Sequence, residues 1–115
     1  MMQAGRLRHR VVLQSRQEAR DIDTGAALEE WRDVAKVWAE VRPLSARDFI
    51  EARADQSQVT ARITIRYRDD VTPLMRVVHR VRGRDHVYEI AGVLHDPAAG
   101  VEYLTLPVSE VFGNG

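Results

Sequence analysis

The chain is 115 residues long, carries 17 basic and 17 acidic residues, and contains no cysteine. That length fits one domain able to bury about two thirds of its unfolded-chain surface. The missing cysteines exclude disulfides, thiolate metal ligands and thiol catalysis, and a zero net charge disfavours tight non-specific DNA binding. No apolar run approaches the ~20 residues that span a bilayer, and no apolar stretch of signal-peptide type follows the first arginines. A soluble intracellular assembly component or enzyme is expected.

Arg6, Arg8, Arg10 and Arg16 open the chain without one acid among the first sixteen residues. Residues 17 to 58 then hold ten acids against six bases, residues 59 to 86 seven arginines against three aspartates, and residues 87 to 115 four acids and no base. Alternating blocks suit subunits that meet through unlike faces, because complementary potentials fix register. They equally suit strands that pair their charges across a sheet.

His9 to Arg16 is the first predicted strand. If it is extended, Arg6, Arg8 and Arg10 lie on one side of it and Leu7 and His9 on the other. Residues 17 to 30 are polar and turn-rich and read as a long loop ending at Trp31. Val37, Ala39 and Val41 alternate with Trp38, Glu40 and Arg42 in a second strand. Residues 45 to 56 read as a short helix with Ser45 as its N-cap and Asp48 near the positive end of its dipole. Its apolar content (Ala46, Phe49, Ile50, Ala52, Ala54) buries little, so the segment would be ordered by a partner or would cover one end of the fold.

Val59, Ala61, Ile63, Ile65 and Tyr67 alternate with Thr60, Arg62, Thr64, Arg66 and Arg68, predicting a strand with one apolar and one basic face. Further strands are expected at Met75 to Val81, Val87 to Leu94 and Glu102 to Val108. Asp69-Asp70 with Pro73, Arg82-Gly83-Arg84-Asp85, and Asp96-Pro97 with Gly100 supply the turns between them. About six short antiparallel strands predict a mainly β protein, a small barrel or sandwich, in one domain over residues 1 to 115.

Catalytic and metal chemistry find little support. His9, His79, His86 and His95 stand in separate segments without metal-ligand spacing. Gly83 has no glycine partners at phosphate-loop spacing, and no serine sits in a nucleophile elbow. Asp23-Thr24-Gly25-Ala26 resembles the catalytic loop of dimeric, retroviral-type aspartic proteases, in which two aspartates share a proton. There the aspartate follows a buried apolar strand, whereas Glu18-Ala19-Arg20-Asp21 is polar. A nucleic-acid-binding barrel is a further alternative, with Arg62, Arg66 and Arg68 on a strand face. Alternation sets Tyr67 on the opposite face, away from those arginines, so the stacking platform is missing.

The chain resembles the head–tail joining (head-closure, stopper or adaptor) proteins of tailed phages over nearly its whole length. The match runs through Gly5-Arg6-Leu7-Arg8-His9-Arg10, Asp23-x-Gly25 before Trp31, Val37-Trp38-Ala39-Glu40-Val41 with Pro43-Leu44, Ile65-Arg66-Tyr67-Arg68, Met75-Arg76, and Tyr88-Glu89-Ile90-Ala91-Gly92-Val93. The resemblance implies a small antiparallel β-barrel with a long loop or short helix, residues 43 to 58, inserted after the second strand. It implies no enzyme, cofactor or metal, and no membrane. The implied role is a subunit of a homo-oligomeric ring, of twelve copies or matched to the portal. Such a ring lies in the virion neck between a portal or adaptor protein and a tail terminator or tail tube protein. It assembles in the host cytoplasm and encloses double-stranded DNA without reading its sequence, retaining it until infection. A tailed phage, a prophage remnant or a gene transfer agent would carry such a part. In that role the basic arm (residues 1 to 10, with Gly5, Arg6, Leu7, Arg8 and Arg10) is expected to dock on a neighbour. Arg47, Asp48, Glu51, Arg53, Asp55 and Gln56 are expected to line the channel as a gating loop.

Overall fold

The computed structural model describes residues 7–44, 59–95 and 102–111. Seven strands follow one another: β1 (His9–Arg20), β2 (Ala27–Pro43), β3 (Ala61–Arg66), β4 (Arg76–Val81), β5 (Arg84–Ile90), β6 (Leu94–His95) and β7 (Tyr103–Val111). All pairings are antiparallel, and the order β3-β2-β1-β4-β5-β7 closes on itself because β3 also pairs with β7. The result is a six-stranded barrel without open edges along its closed part. β7 serves two neighbours on one edge: Val108–Val111 pair with β5, and Leu104 and Thr105 with the short β6.

Alternation decides what lies inside. Val11 and Leu13, Ile63 and Ile65, Val77, and Leu104, Leu106 and Val108 are all fully buried, and Ala39, Tyr88 and Ile90 join them. Each such aliphatic side chain contributes about 1.5–3 kcal/mol by leaving water. Val71 and Met75, from the turn between β3 and β4, plug one end of the same core, while Leu74 between them is 82% exposed. Arg62 and Arg66 point outward from β3, whereas Thr64, expected on that same basic face, is buried.

Of residues 17 to 30, expected as one long loop, only 21 to 26 form a turn and the rest are strand. β1 and β2 run on past the barrel as a two-stranded ribbon, paired in register to Arg20↔Ala27. β4 pairs with β1 only from Val11 to Gln14, and β3 with β2 only from Ala39 to Pro43. From Gln14 to Asp21 the ribbon reaches about 23 Å at strand rise, which accounts for a molecule measuring 52 × 29 × 29 Å. Gln17, Glu18, Glu29 and Glu30 are exposed. With both faces wet, the segment has no apolar alternation to announce it.

The turn at the tip is built from its own polar groups. The Asp21 carboxylate accepts the Asp23 N–H at 2.8 Å, the Asp21 carbonyl accepts the Gly25 N–H at 2.8 Å, and the Asp21 N–H returns to the Ala26 carbonyl at 2.9 Å. Gly25 has φ +71°, a left-handed conformation that favours glycine. At the ribbon's base the register shifts: Leu13 faces Ala35 but Gln14 faces Asp33, so Val34 is an extra residue in β2. Such a bulge bends and twists a strand as it leaves a barrel.

Two smaller corrections concern strand ends. The β4–β5 turn is Arg82-Gly83 alone, both with positive φ (52° and 81°), and Val81 pairs directly with Arg84. That is the twist-matched two-residue hairpin, so Arg84 and Asp85 belong to the strand. The strand expected to reach Leu94 stops at Ile90 and resumes as β6. The short helix expected at 45 to 56 lies outside the described residues.

Candidate docking surface

The register gives the barrel two unlike ends. One end carries Leu7, the Pro43 end of β2, the Arg82-Gly83 turn and the end of β7; the other carries the ribbon, Tyr67, the start of β4 and the end of β5. Residues 45 to 58 connect β2 to β3 at the first end, where the Leu44 N–H donates to the Thr60 carbonyl at 3.0 Å and the Thr60 N–H to the Val108 carbonyl at 2.8 Å. The expected gating residues Arg47, Asp48, Glu51, Arg53, Asp55 and Gln56 lie outside the described residues.

Of the basic arm, Gly5 and Arg6 also lie outside the described residues. Leu7 is buried, while Arg8 and Arg10 are exposed. Leu7 thus parts from Arg8 and Arg10 as expected, whereas His9, expected on the side of Leu7, is exposed. Arg10 lies over the Trp38 ring, 4.8 Å from its centroid, with Trp38 directly opposite on β2 and half exposed.

At the ribbon's base Trp31 lies between two arginines. The Arg16 guanidinium is 5.1 Å and the Arg76 guanidinium 4.2 Å from its ring centroid. Arg76 Nε–H donates to Gln14 Oε1 at 2.7 Å, and Gln14 Nε2–H donates to Asp33 Oδ1 at 2.8 Å. Partial burial and the nearby Arg16 charge lower the Arg76 pKa. Beside this cluster a cleft of about 610 Å³ opens between the β1 edge and the turn before β4, with Trp31, Leu74, Glu18, Glu29 and Glu89 among its walls.

The first barrel end holds a group that the sequence did not reveal. The His9 and His79 rings meet edge to face, with centroids 4.9 Å apart. His86 sits directly opposite His79 and contacts Glu110 Oε2 through Nδ1 at 2.8 Å. His79 is 9% exposed. Burial, with the neighbouring His9 and His86, lowers its pKa. The signal that could have found this group was inward alternation on each strand, read together with a pairing register that one sequence does not supply. Among the described residues no three His, Asp or Glu side chains are placed to hold a metal ion.

Neither alternative reading gains a site. Asp23 sits exposed in the ribbon's turn, next to a 99% exposed Ile22, without the buried strand that dries a catalytic aspartate. Tyr67 lies past the end of β3, not on an apolar face, and its ring is 5.9 Å from His95; Arg66 instead lies 6.0 Å from the Tyr103 ring.

A closed barrel with a projecting ribbon and a wall of arginine–aromatic pairs defines a small β-barrel module. Residues 2–111 match the phage head completion protein family, and the chain belongs to it. It is 32% identical over 76 residues to head completion protein gp7 of Enterobacteria phage HK97, spanning 66% of this chain and 67% of that one. The solution structure of protein SF1141 from Shigella flexneri 2a superposes with a TM-score of 0.72 at 32% identity, covering 95% of this chain and 96% of that one. A chain in the virion of a native gene transfer agent shares the fold at a TM-score of 0.51 and 21% identity, covering 90% and 94%. The protein is thus a structural phage head completion protein and a component of the virion.

Proposed function

We propose that the protein forms a homo-oligomeric ring in the particle's neck, of twelve copies or matched to the portal. The ring lies between a portal or adaptor protein and a tail terminator or tail tube protein, where it holds packaged DNA and later lets it pass. The β1–β2 ribbon carries this reading. Two-stranded hairpins are marginal alone in water, and a ribbon with an exposed Ile22 at its tip gains stability by lying against another subunit. Zero net charge suits a conduit, because many phosphate contacts would resist ejection.

In this reading the basic arm docks on a neighbour, and residues 45 to 58 form the gate at the barrel end where their flanking strands are clamped. Particles assembled with a chain lacking residues 46 to 55 are expected to lose DNA from otherwise complete heads. Full DNA retention in those particles would remove the gate assignment. The R6E/R8E variant is expected to fold normally but not to enter particles; normal incorporation would remove the docking role of the arm.

A further inference from the structure

The cleft beside Trp31 has the features of a strand-receiving groove. β1 leaves β4 at Gln14, and among the described residues Ser15–Arg20 ladder with β2 alone. One edge of β1 therefore faces the cleft with main-chain groups placed to accept an added strand. Leu74, 82% exposed, lines the same cleft together with Trp31. Glu18, Glu29 and Glu89 reach the same cleft against one arginine, Arg16, which already contacts Glu29 at 3.5 Å. An extended, basic segment with some apolar content fits this combination.

We propose that the cleft receives the amino-terminal arm of a second copy of this chain. Met1-Met2-Gln3-Ala4-Gly5-Arg6 supplies two methionines, an alanine and one cationic side chain, Arg6, from the one block of the sequence that has no acid. Residues 1 to 6 do not reach the cleft of their own copy: Leu7 and Ser15 lie about 26 Å apart along β1 at strand rise, and six extended residues span at most ~20 Å. An arm leaving one barrel end for a groove at the other end of the next copy is a head-to-tail contact, the type that closes into rings. The inference rests on the docking role of the arm and names the surface that receives it.

The test exchanges charge across the contact in particles assembled with variant chains. R6E alone and E18K/E89K alone are each expected to lower incorporation about tenfold, the effect of ~1.4 kcal/mol on assembly, and combining them in one chain restores it. Thermal unfolding of each purified variant, unchanged from the parent, shows that folding is intact. If R6E blocks incorporation while E18K/E89K enters normally, the cleft is not the receptor, although the arm still docks. If neither has an effect, the docking role fails as well. Loss with both variants but no rescue on combination means a different occupant and overturns the proposal. A second readout uses the absence of cysteine: A4C/L74C chains in particles are expected to give a ladder of disulfide-linked copies under mild oxidation. Monomer alone after oxidation contradicts the contact.

Discussion

The Arg76 guanidinium lies 4.2 Å from the centroid of the Trp31 ring, joining the second strand of the projecting ribbon to the barrel wall at β4. No strand ladder makes that connection, because β2 and β4 are not neighbours. The Arg76–Gln14–Asp33 hydrogen bonds run through the same place, just where the bulge turns the ribbon away. The ribbon's angle to the barrel is therefore held by side chains, and this has separable consequences.

Trp31→Ala is expected to lower stability by about 1–2 kcal/mol, the range for a partly desolvated cation–π contact with its packing. The larger effect is local. Hydrogen exchange should accelerate in the Ser15–Arg20 amides while the Ile63 and Leu106 amides keep their protection. Equal acceleration in both regions would mean that the ribbon and barrel unfold as one unit.

Gly25→Ala places a Cβ at φ +71°, where nothing obstructs the side chain but the backbone itself is unfavourable. The expected cost is about 1–2 kcal/mol, confined to the ribbon. Chemical shifts should move around Asp21 and Ala26 and stay fixed in the core.

Ile63→Ala removes a fully buried side chain at the barrel's centre and is expected to cost about 2–5 kcal/mol in urea unfolding. Ile22→Asp, at the exposed ribbon tip, is expected to stay within about 0.5 kcal/mol of the parent while reducing assembly. A large loss of stability from Ile22→Asp would show that the tip packs against its own chain.

Acid should weaken the fold through His79. Burial, His9 and His86 lower its pKa below the ordinary 6.5, so the folded state prefers neutral imidazole. Above that value both states are neutral at His79 and it contributes no pH dependence. As pH falls below 6.5 the unfolded chain takes up the proton first, and stability declines until the folded pKa is passed. The slope from one such proton is at most about 1.4 kcal/mol per pH unit. The groups facing His79 are His9 from β1 and His86 from β5, the latter held to Glu110 of β7. His79→Gln should flatten the decline in unfolding midpoint between pH 6.5 and 5; an unchanged profile would assign it elsewhere.

Much of the barrel was legible in the sequence because its strands have one wet and one dry side. Ile63 and Ile65 against Arg62 and Arg66, and Ala39 against Trp38, announce a period of two that the structure follows. The ribbon was not legible for the converse reason. Both of its faces meet water, so Gln17, Glu18, Glu29 and Glu30 read as loop although they form a ladder. Arg84 and Asp85 read as turn because the chain reverses on Arg82-Gly83 alone. The histidine group and the Trp31–Arg76 contact depend on register, which brings together His9 with His79 and Trp31 with Arg76. Periodicity within one segment carries no information about such pairs. Nothing local in residues 7 to 10 marks what they would dock on: Leu7 is buried, and Arg8, His9 and Arg10 are exposed.

Imaging of assembled particles at the neck tests most directly whether this head completion protein works as a ring between head and tail. One closed ring of this chain is expected between portal and tail. Each copy should extend its β1–β2 ribbon onto a neighbour, and particles lacking the chain should show empty, tailless heads. A single copy per particle, a position away from the neck, or tailed and DNA-filled particles without the chain would contradict it.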